Sequence, residues 1–186
     1  IKVVDSKGSF QNYNHIKKNY EKIQGHKAVN KLVTYLKTNN MAPALFFVFS
    51  RKETERLAKS VQQGLVTAEE SAEISNIFNY ELRNYKKIYE RSAQYIEIES
   101  LLLKGVVYHH SGLVPILKEV IEILFEKGLV KLLFATETFA VGVNAPTKTV
   151  VFPKLTKYSN GGFRCLRTDE YLQMAGRAGR RGLDKF

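Results

Sequence analysis

The sequence predicts an α/β domain built on a parallel sheet, and three observations carry that expectation. Short continuous apolar runs, with Ala44-Leu45-Phe46-Phe47-Val48-Phe49 the clearest, have strand length and lack the polar alternation of a half-wet sheet. Segments with helical apolar spacing alternate with them along the chain. Polar motifs follow the strands directly, and ligands of parallel sheets gather at the carboxyl ends of strands.

Residues 1–25 are polar, show no clear period and read as a linker or arm, so the domain is expected over 26–186. Val29, Leu32, Val33 and Leu36 fall at i, i+3, i+4 and i+7 and predict a helix over 28–39, with a break at Pro43. The run 44–49 is the first strand. Ser50 follows it, with Glu53 three residues on. That is a capping box, and it opens a helix at about Lys52 that holds Arg56, Leu57 and Val61 and breaks at Gly64. Residues 67–104 contain neither Gly nor Pro and read as two or three helices forming an insertion between core units. Val106–His109 is a second strand. Pro115 opens a helix whose buried face is Leu117, Val120, Ile121 and Leu124, and Gly128 ends it. Val130–Ala135 and Thr149–Phe152 are the third and fourth strands. A last helix lies within Leu166–Ala178, capped by Thr168 or Asp169.

A length of 186 residues allows one domain with a real core, and 44% hydrophobic residues exclude a disordered class. The single cysteine, Cys165, excludes an intrachain disulfide, and Cys and His are too few and scattered for a zinc site. A reducing, intracellular compartment is expected, with cytoplasm and nucleus not distinguished. No apolar run approaches the roughly 20 residues that cross a bilayer, so no membrane partner is expected. Ile1-Lys2-Val3-Val4-Asp5 does not read as a signal peptide, and the missing Met suggests a fragment.

The formal net charge is +11. Between Glu137 and Asp169 stand five basic residues, Lys148, Lys154, Lys157, Arg164 and Arg167, and no acidic one. Such a surface attracts phosphate backbones, although lysines that only confer solubility would give the same total.

Four motifs carry chemistry. In Gln173-Met174-Ala175-Gly176-Arg177-Ala178-Gly179-Arg180-Arg181-Gly182, the residues Gln173, Gly176, Arg177 and Arg180 share one face if the segment is helical. Two arginine forks one turn apart suit a single anion, such as the γ-phosphate during phosphoryl transfer. A basic, Gly-rich RNA-binding or import tail is the plainer alternative. In Phe134-Ala135-Thr136-Glu137-Thr138-Phe139-Ala140-Val141-Gly142-Val143-Asn144-Ala145-Pro146, Thr136 ends a strand before a short helix. There it can offer a hydroxyl and an N–H to phosphate. Gly142 permits a tight turn, and Asn144 can bond a ribose hydroxyl. In Val48-Phe49-Ser50-Arg51-Lys52-Glu53, Ser50 is a helix cap, and Arg51 is either solvated or on phosphate. In Tyr108-His109-His110-Ser111-Gly112-Leu113, adjacent histidines on a strand point to opposite faces, which argues against one shared metal.

These segments resemble motifs VI, V and IV and the His-His-x-Gly-Leu stretch of superfamily 2 helicases, and most closely the Ski2-like (Ski2 and Mtr4 type) DExH-box RNA helicases. The likeness is dense from Val106 to Asp184 and fair from Ala42 to Lys59. Val143 and Ala145 stand where the family often has Ile and Met. The resemblance implies the second RecA-like domain, a parallel sheet flanked by helices. It implies that Arg177, Arg180 and Gln173 serve catalysis on ATP bound by a first RecA-like domain. Gly142, Asn144 and Gly176 would lie near ATP. Ser50, Arg51, His110, Ser111, Thr136 and Thr138 would lie on the nucleic-acid backbone. The phosphate loop and the Asp-Glu-x-His segment of the family are absent from these 186 residues, so half an active site is expected, with Mg²⁺ held mainly by the first domain and no hydrolysis by this part alone. The expected partners are single-stranded RNA, with DNA possible, the first RecA-like domain, and exosome-type RNA decay machinery. A Ski2-like DNA helicase and a catalytically inactive RecA-like binding module stay open as alternatives.

Overall fold

The computed structural model describes residues 26–142 and 147–179; the arm expected over 1–25 lies outside the described residues. Four strands, β1 (Ala44–Phe47), β2 (Val106–His109), β3 (Leu132–Ala135) and β4 (Thr149–Val151), form one sheet in the order β2-β3-β1-β4. All three pairings are parallel. Every residue of β1, β2 and β3 is buried, which is why their sequences are apolar without alternation. Among the described strands β4 lies at one edge, and it is half-buried throughout.

The helices are α1 (His26–Thr38), α2 (Arg51–Lys59), α3 (Ala68–Glu81), α4 (Lys86–Tyr89), α5 (Ala93–Leu102), α6 (Pro115–Glu126), α7 (Phe139–Gly142) and α8 (Thr168–Ala175). α6 matches its expectation closely, with Pro115 in its first turn, Leu117, Val120, Ile121 and Leu124 buried, and Gly128 at φ +71° behind its end. α2 departs from it. It begins at Arg51 and stops at Lys59, so Val61 lies beyond the helix, although it is buried. Its capping box is half formed. Ser50 Oγ accepts from the Glu53 N–H at 3.4 Å, but the Glu53 carboxylate turns to Arg56, 2.7 Å from Nε. The bidentate guanidinium is the stronger partner for that carboxylate.

The segment 67–104 is not an insertion. Ile74, Phe78 and Leu82 of the α3 stretch, with Tyr95, Ile98, Leu101 and Leu102 of α5, belong to the same buried cluster as Phe46 and Phe134. α3 packs on α6, and α5 packs on β2. This segment is the connection that carries the chain from β1 past β3 to β2. A complete capping box between Thr67 and Glu70 opens α3, and Ser92 caps α5.

An antiparallel hairpin was not anticipated. β5 (Thr156–Ser159) pairs with β6 (Gly162–Cys165) across Asn160-Gly161, both at positive φ. Asn-Gly is the favoured pair for the two-residue turn that matches strand twist. α8 is capped by neither Thr168 nor Asp169. Its N-cap is Arg167, whose backbone N–H donates to Glu170 at 2.9 Å.

Candidate nucleic-acid and nucleotide site

The strand register assembles the first part of the site. Phe47 and His109 both stand level with Ala135, so the residues just after β1, β2 and β3 emerge together at the carboxyl edge. Val48 N–H to Ala135 O at 2.8 Å and Thr136 N–H to His109 O at 3.2 Å continue the ladder one step further. Ser50, Arg51, Ser111, Thr136 and Thr138 then line one cleft of about 210 Å³. Glu137, Phe49, Lys157 and Tyr158 complete it, and none of these four was singled out as a site residue from sequence. For Lys157 and Tyr158, the available signal was the Asn160-Gly161 turn that folds their strand back.

Ser50 has extended backbone angles and caps α2, and the exposed Arg51 is the first residue of that helix. N–H groups at a helix start point outward, so cap and anion can share this end. The Thr136 and Thr138 hydroxyls lie 3.1 Å apart at the lip of β3.

The paired histidines face different carboxylates. His109 Nε2 lies 2.8 Å from Glu122, and His110 Nε2 lies 3.0 Å from Glu55, so they do not converge on one ion. Among the described residues no group of three or more His, Cys, Asp or Glu is placed to hold a metal. Burial pushes His109 below the ordinary histidine value, against the pull of Glu122. His110 is buried beneath the cleft, and its Nδ1 accepts from the Gly112 N–H at 3.0 Å. The Nδ1 edge of the ring thus faces the Gly112 N–H, and the Nε2 edge faces Glu55. A Cβ built on Gly112 would meet His110 Nδ1 at 3.1 Å, so a side chain there would press on the His110 ring. Gln94 of α5 grips both sides of this turn, donating to Gly112 O and accepting from the Val114 N–H. His110 thus supports Ser111 from below.

The second part of the site lies on α8. Gln173 is exposed on its last turn. The helix, expected within Leu166–Ala178, ends at Ala175, so the one face that Gln173 and Arg177 would share if the segment were helical does not extend to Arg177. Gly176 caps it, and Arg177 sits in the turn that follows. Ala178 instead bridges to Thr147, whose carbonyl takes the Gly179 N–H at 2.9 Å, and this pairing draws the chain off the helical path. Arg177 turns back to donate to the carbonyl of Ala140 in α7. The two parts therefore meet through α7, whose preceding residues are the threonines of the cleft. Gly142 is the last residue of α7; Asn144 and Arg180 lie outside the described residues.

The hairpin is fixed to α8 by charge. Glu170 binds Arg164 through both oxygens at 2.7 and 2.8 Å, Lys157 at 2.8 Å and the Arg167 N–H. Arg164 first, then Lys157, hold this carboxyl well below the usual carboxylate range. Lys157 also binds Glu137 at 2.5 Å. Its partial burial alone would lower its pKa, but the two carboxylates outweigh that and raise it.

Comparison with known proteins identifies the family. The family model "Helicase conserved C-terminal domain" matches residues 76–182. An uncharacterized helicase of Schizosaccharomyces pombe is 40% identical over 185 residues, 99% of this chain and 18% of that protein. The ATP-dependent RNA helicase mtr4 of the same organism is 44% identical over 165 residues, 87% of this chain and 15% of that protein. The antiviral helicase SKI2 of Saccharomyces cerevisiae is 44% identical over 155 residues, 83% of this chain and 12% of that protein. The chain spans less than a fifth of the length of these relatives. It belongs to the helicase conserved C-terminal domain family, on the Ski2-like branch of superfamily 2.

Proposed function

We propose that this domain is the second RecA-like half of an ATP-dependent RNA helicase that translocates 3′ to 5′ on single-stranded RNA and unwinds it, inside the cell, in RNA processing or decay beside an exosome-type machinery. The observation that carries the reading is the convergence of Ser50, Arg51, Ser111, Thr136 and Thr138 on one cleft, joined through α7 to Arg177. Hydroxyls, an arginine and helix-start N–H groups recognise backbone phosphate rather than base edges, so binding independent of sequence is expected.

The exposed Gln173 and the Arg177 turn fit a nucleotide approached from outside this domain. On this reading a first RecA-like domain holds most of ATP and its Mg²⁺, whose charge favours phosphoryl transfer. Gln173, Arg177 and Arg180 close on the phosphates from this side, and Gly142, Asn144 and Gly176 line the approach. Arginine at that position neutralises charge on the γ-phosphate oxygens.

The test is ATP turnover by the full-length protein beside this fragment, with single-stranded RNA or DNA added. Turnover by the full-length protein alone, stimulated more by RNA, is expected. Equal or better stimulation by DNA would overturn the substrate. Absence of turnover with either would leave a binding module.

A further inference from the structure

We propose that Lys157 is a positioning residue that couples occupation of the cleft to α8, by sharing its ammonium between Glu137 and Glu170. This inference rests on the helicase reading above and gives that site a regulatory link.

Glu137 lies between Thr136 and Thr138 in the cleft wall, where a bare carboxylate would repel the phosphate those threonines suit. Lys157 neutralises it at 2.5 Å, from a side chain that is only 13% exposed. The same Nζ lies 2.8 Å from Glu170, in the first turn of α8 and three residues before Gln173. One ammonium thus joins the cleft wall to the helix that faces the nucleotide.

The two carboxylates are not equivalent. Glu170 is also held by Arg164 and by the Arg167 N–H, so it stays satisfied if Lys157 leaves. Glu137 is 48% exposed and has Lys157 as its ion-pair partner among the described residues. A phosphate entering beside Glu137 adds negative charge there and draws the ammonium toward the cleft. Glu170 then rests on Arg164 alone among its side-chain cations within 3 Å. The start of α8 is thereby released from β5 but not from β6. Conversely, a shift of α8 on closure over nucleotide moves Lys157 and changes the charge of the cleft. Such reciprocity is what coupling between two binding sites requires.

The experiment uses full-length protein carrying Lys157→Met, Lys157→Arg or Glu137→Gln, with melting temperature as a folding control. Two quantities are read: the ratio of RNA-saturated to RNA-free ATP turnover, and the RNA concentration giving half-maximal turnover. The ratio is expected to fall at least about fivefold in Lys157→Met and in Glu137→Gln, a typical allosteric coupling. The half-saturating RNA concentration is expected to move no more than about threefold, as for one partly screened charge. Lys157→Arg, which can still bridge both carboxylates, restores the ratio. An unchanged ratio with a large shift in half-saturation would make Lys157 a simple phosphate contact and overturn the proposal. Loss of the ratio in Lys157→Arg as well, with a lowered melting temperature, would reduce the residue to a structural one and overturn it too. If the wild-type protein is not stimulated by RNA at all, the helicase reading itself fails and this inference falls with it. If the wild type is stimulated and Glu137→Gln is stimulated equally, the inference alone fails.

Discussion

Replacing His110 by alanine tests how one wall of the cleft is held. The ring is 2% exposed and spends both nitrogens, Nδ1 on the Gly112 N–H at 3.0 Å and Nε2 on Glu55 at 3.0 Å. Loss of the first bond costs about 1 kcal/mol and strands an amide in the turn below Ser111. The second bond goes to a carboxylate that is 36% exposed and lies 3.7 Å from Lys59, so solvent screening holds its loss to about 1 kcal/mol. The stacked contact with Tyr108, 5.4 Å between centroids at 13°, adds burial worth about 1 kcal/mol. His110→Ala should therefore destabilise the fold by about 3 kcal/mol in urea unfolding. Two further substitutions separate the contributions. His110→Asn places an amide oxygen where Nδ1 was and keeps the two-residue turn to Gly112. His110→Gln reaches toward Glu55 and forfeits that turn. If the ring's task is to hold Ser111, RNA half-saturation in the full-length protein should worsen least in Asn, more in Gln and most in Ala. A stability loss under about 0.5 kcal/mol in Ala, or better RNA binding by Gln than by Asn, would show that the ring does not hold this wall of the cleft.

Acid should weaken the fold through His109. Its folded pKa is lowered by burial, so between that value and about 6.5 the unfolded chain binds more protons than the folded one. The contribution is complete above about pH 6.5 and is lost as pH falls through that window, so the urea midpoint should drop from about pH 7.5 to 5.5. His109→Gln should flatten the slope, and an equally steep slope in that variant would reassign it. Phe78→Ala, at a residue 1% exposed and edge-on to Tyr95 at 5.0 Å, should cost about 3–5 kcal/mol in the same assay. A cost below about 1 kcal/mol would return 67–104 to the status of an insertion. Arg180→Ala in the full-length protein should abolish ATP turnover and leave RNA binding largely intact. Wild-type turnover in that variant would remove the arginine from catalysis.

The sheet was legible because burial on both faces leaves an unmistakable mark. Leu45, Phe46 and Phe47 cannot read as a half-wet strand, and Pro115 with Gly128 brackets α6 in any setting. Segment 67–104 was harder. Ile74 and Phe78 share α3 with Tyr80, which is 62% exposed, and α5 pairs buried Ile98 with exposed Ile96. Apolar residues on the wet faces blur the helical stripe that would have marked these helices as core. The course of Arg177 was hidden for another reason. Residues 173–180 keep helical spacing on paper, but the bridge from Ala178 to Thr147 joins positions 31 apart and ends the helix at Ala175. No local rule contains that pairing. The basic window 138–168 also promised more free charge than it delivers, because Lys157, Arg164 and Arg167 are taken up by Glu137, Asp169 and Glu170 at its borders.

That pairing of charges explains how a cleft with acidic residues around it can suit a phosphate chain. Glu53 stands in the first turn of α2, where a carboxylate normally folds back over the helix start and competes with an incoming anion. Here it is drawn along the helix to Arg56, which leaves the Ser50 end clear. Glu55 is tied to His110 below the cleft, and Glu137 is tied to Lys157 within it. Arg51 remains the exposed cation at the rim, above hydroxyls from Ser50, Ser111, Thr136 and Thr138. The local field then follows Arg51 and the α2 start rather than the count of carboxylates nearby. Substituting Arg56 removes the guanidinium that draws Glu53 along the helix, and should weaken RNA binding without touching any residue of the cleft wall. Substituting Arg56 and Glu53 together should restore it, because the competing carboxylate is then gone. Unchanged RNA binding in the single Arg56→Ala variant would show that the path of Glu53 does not govern the cleft.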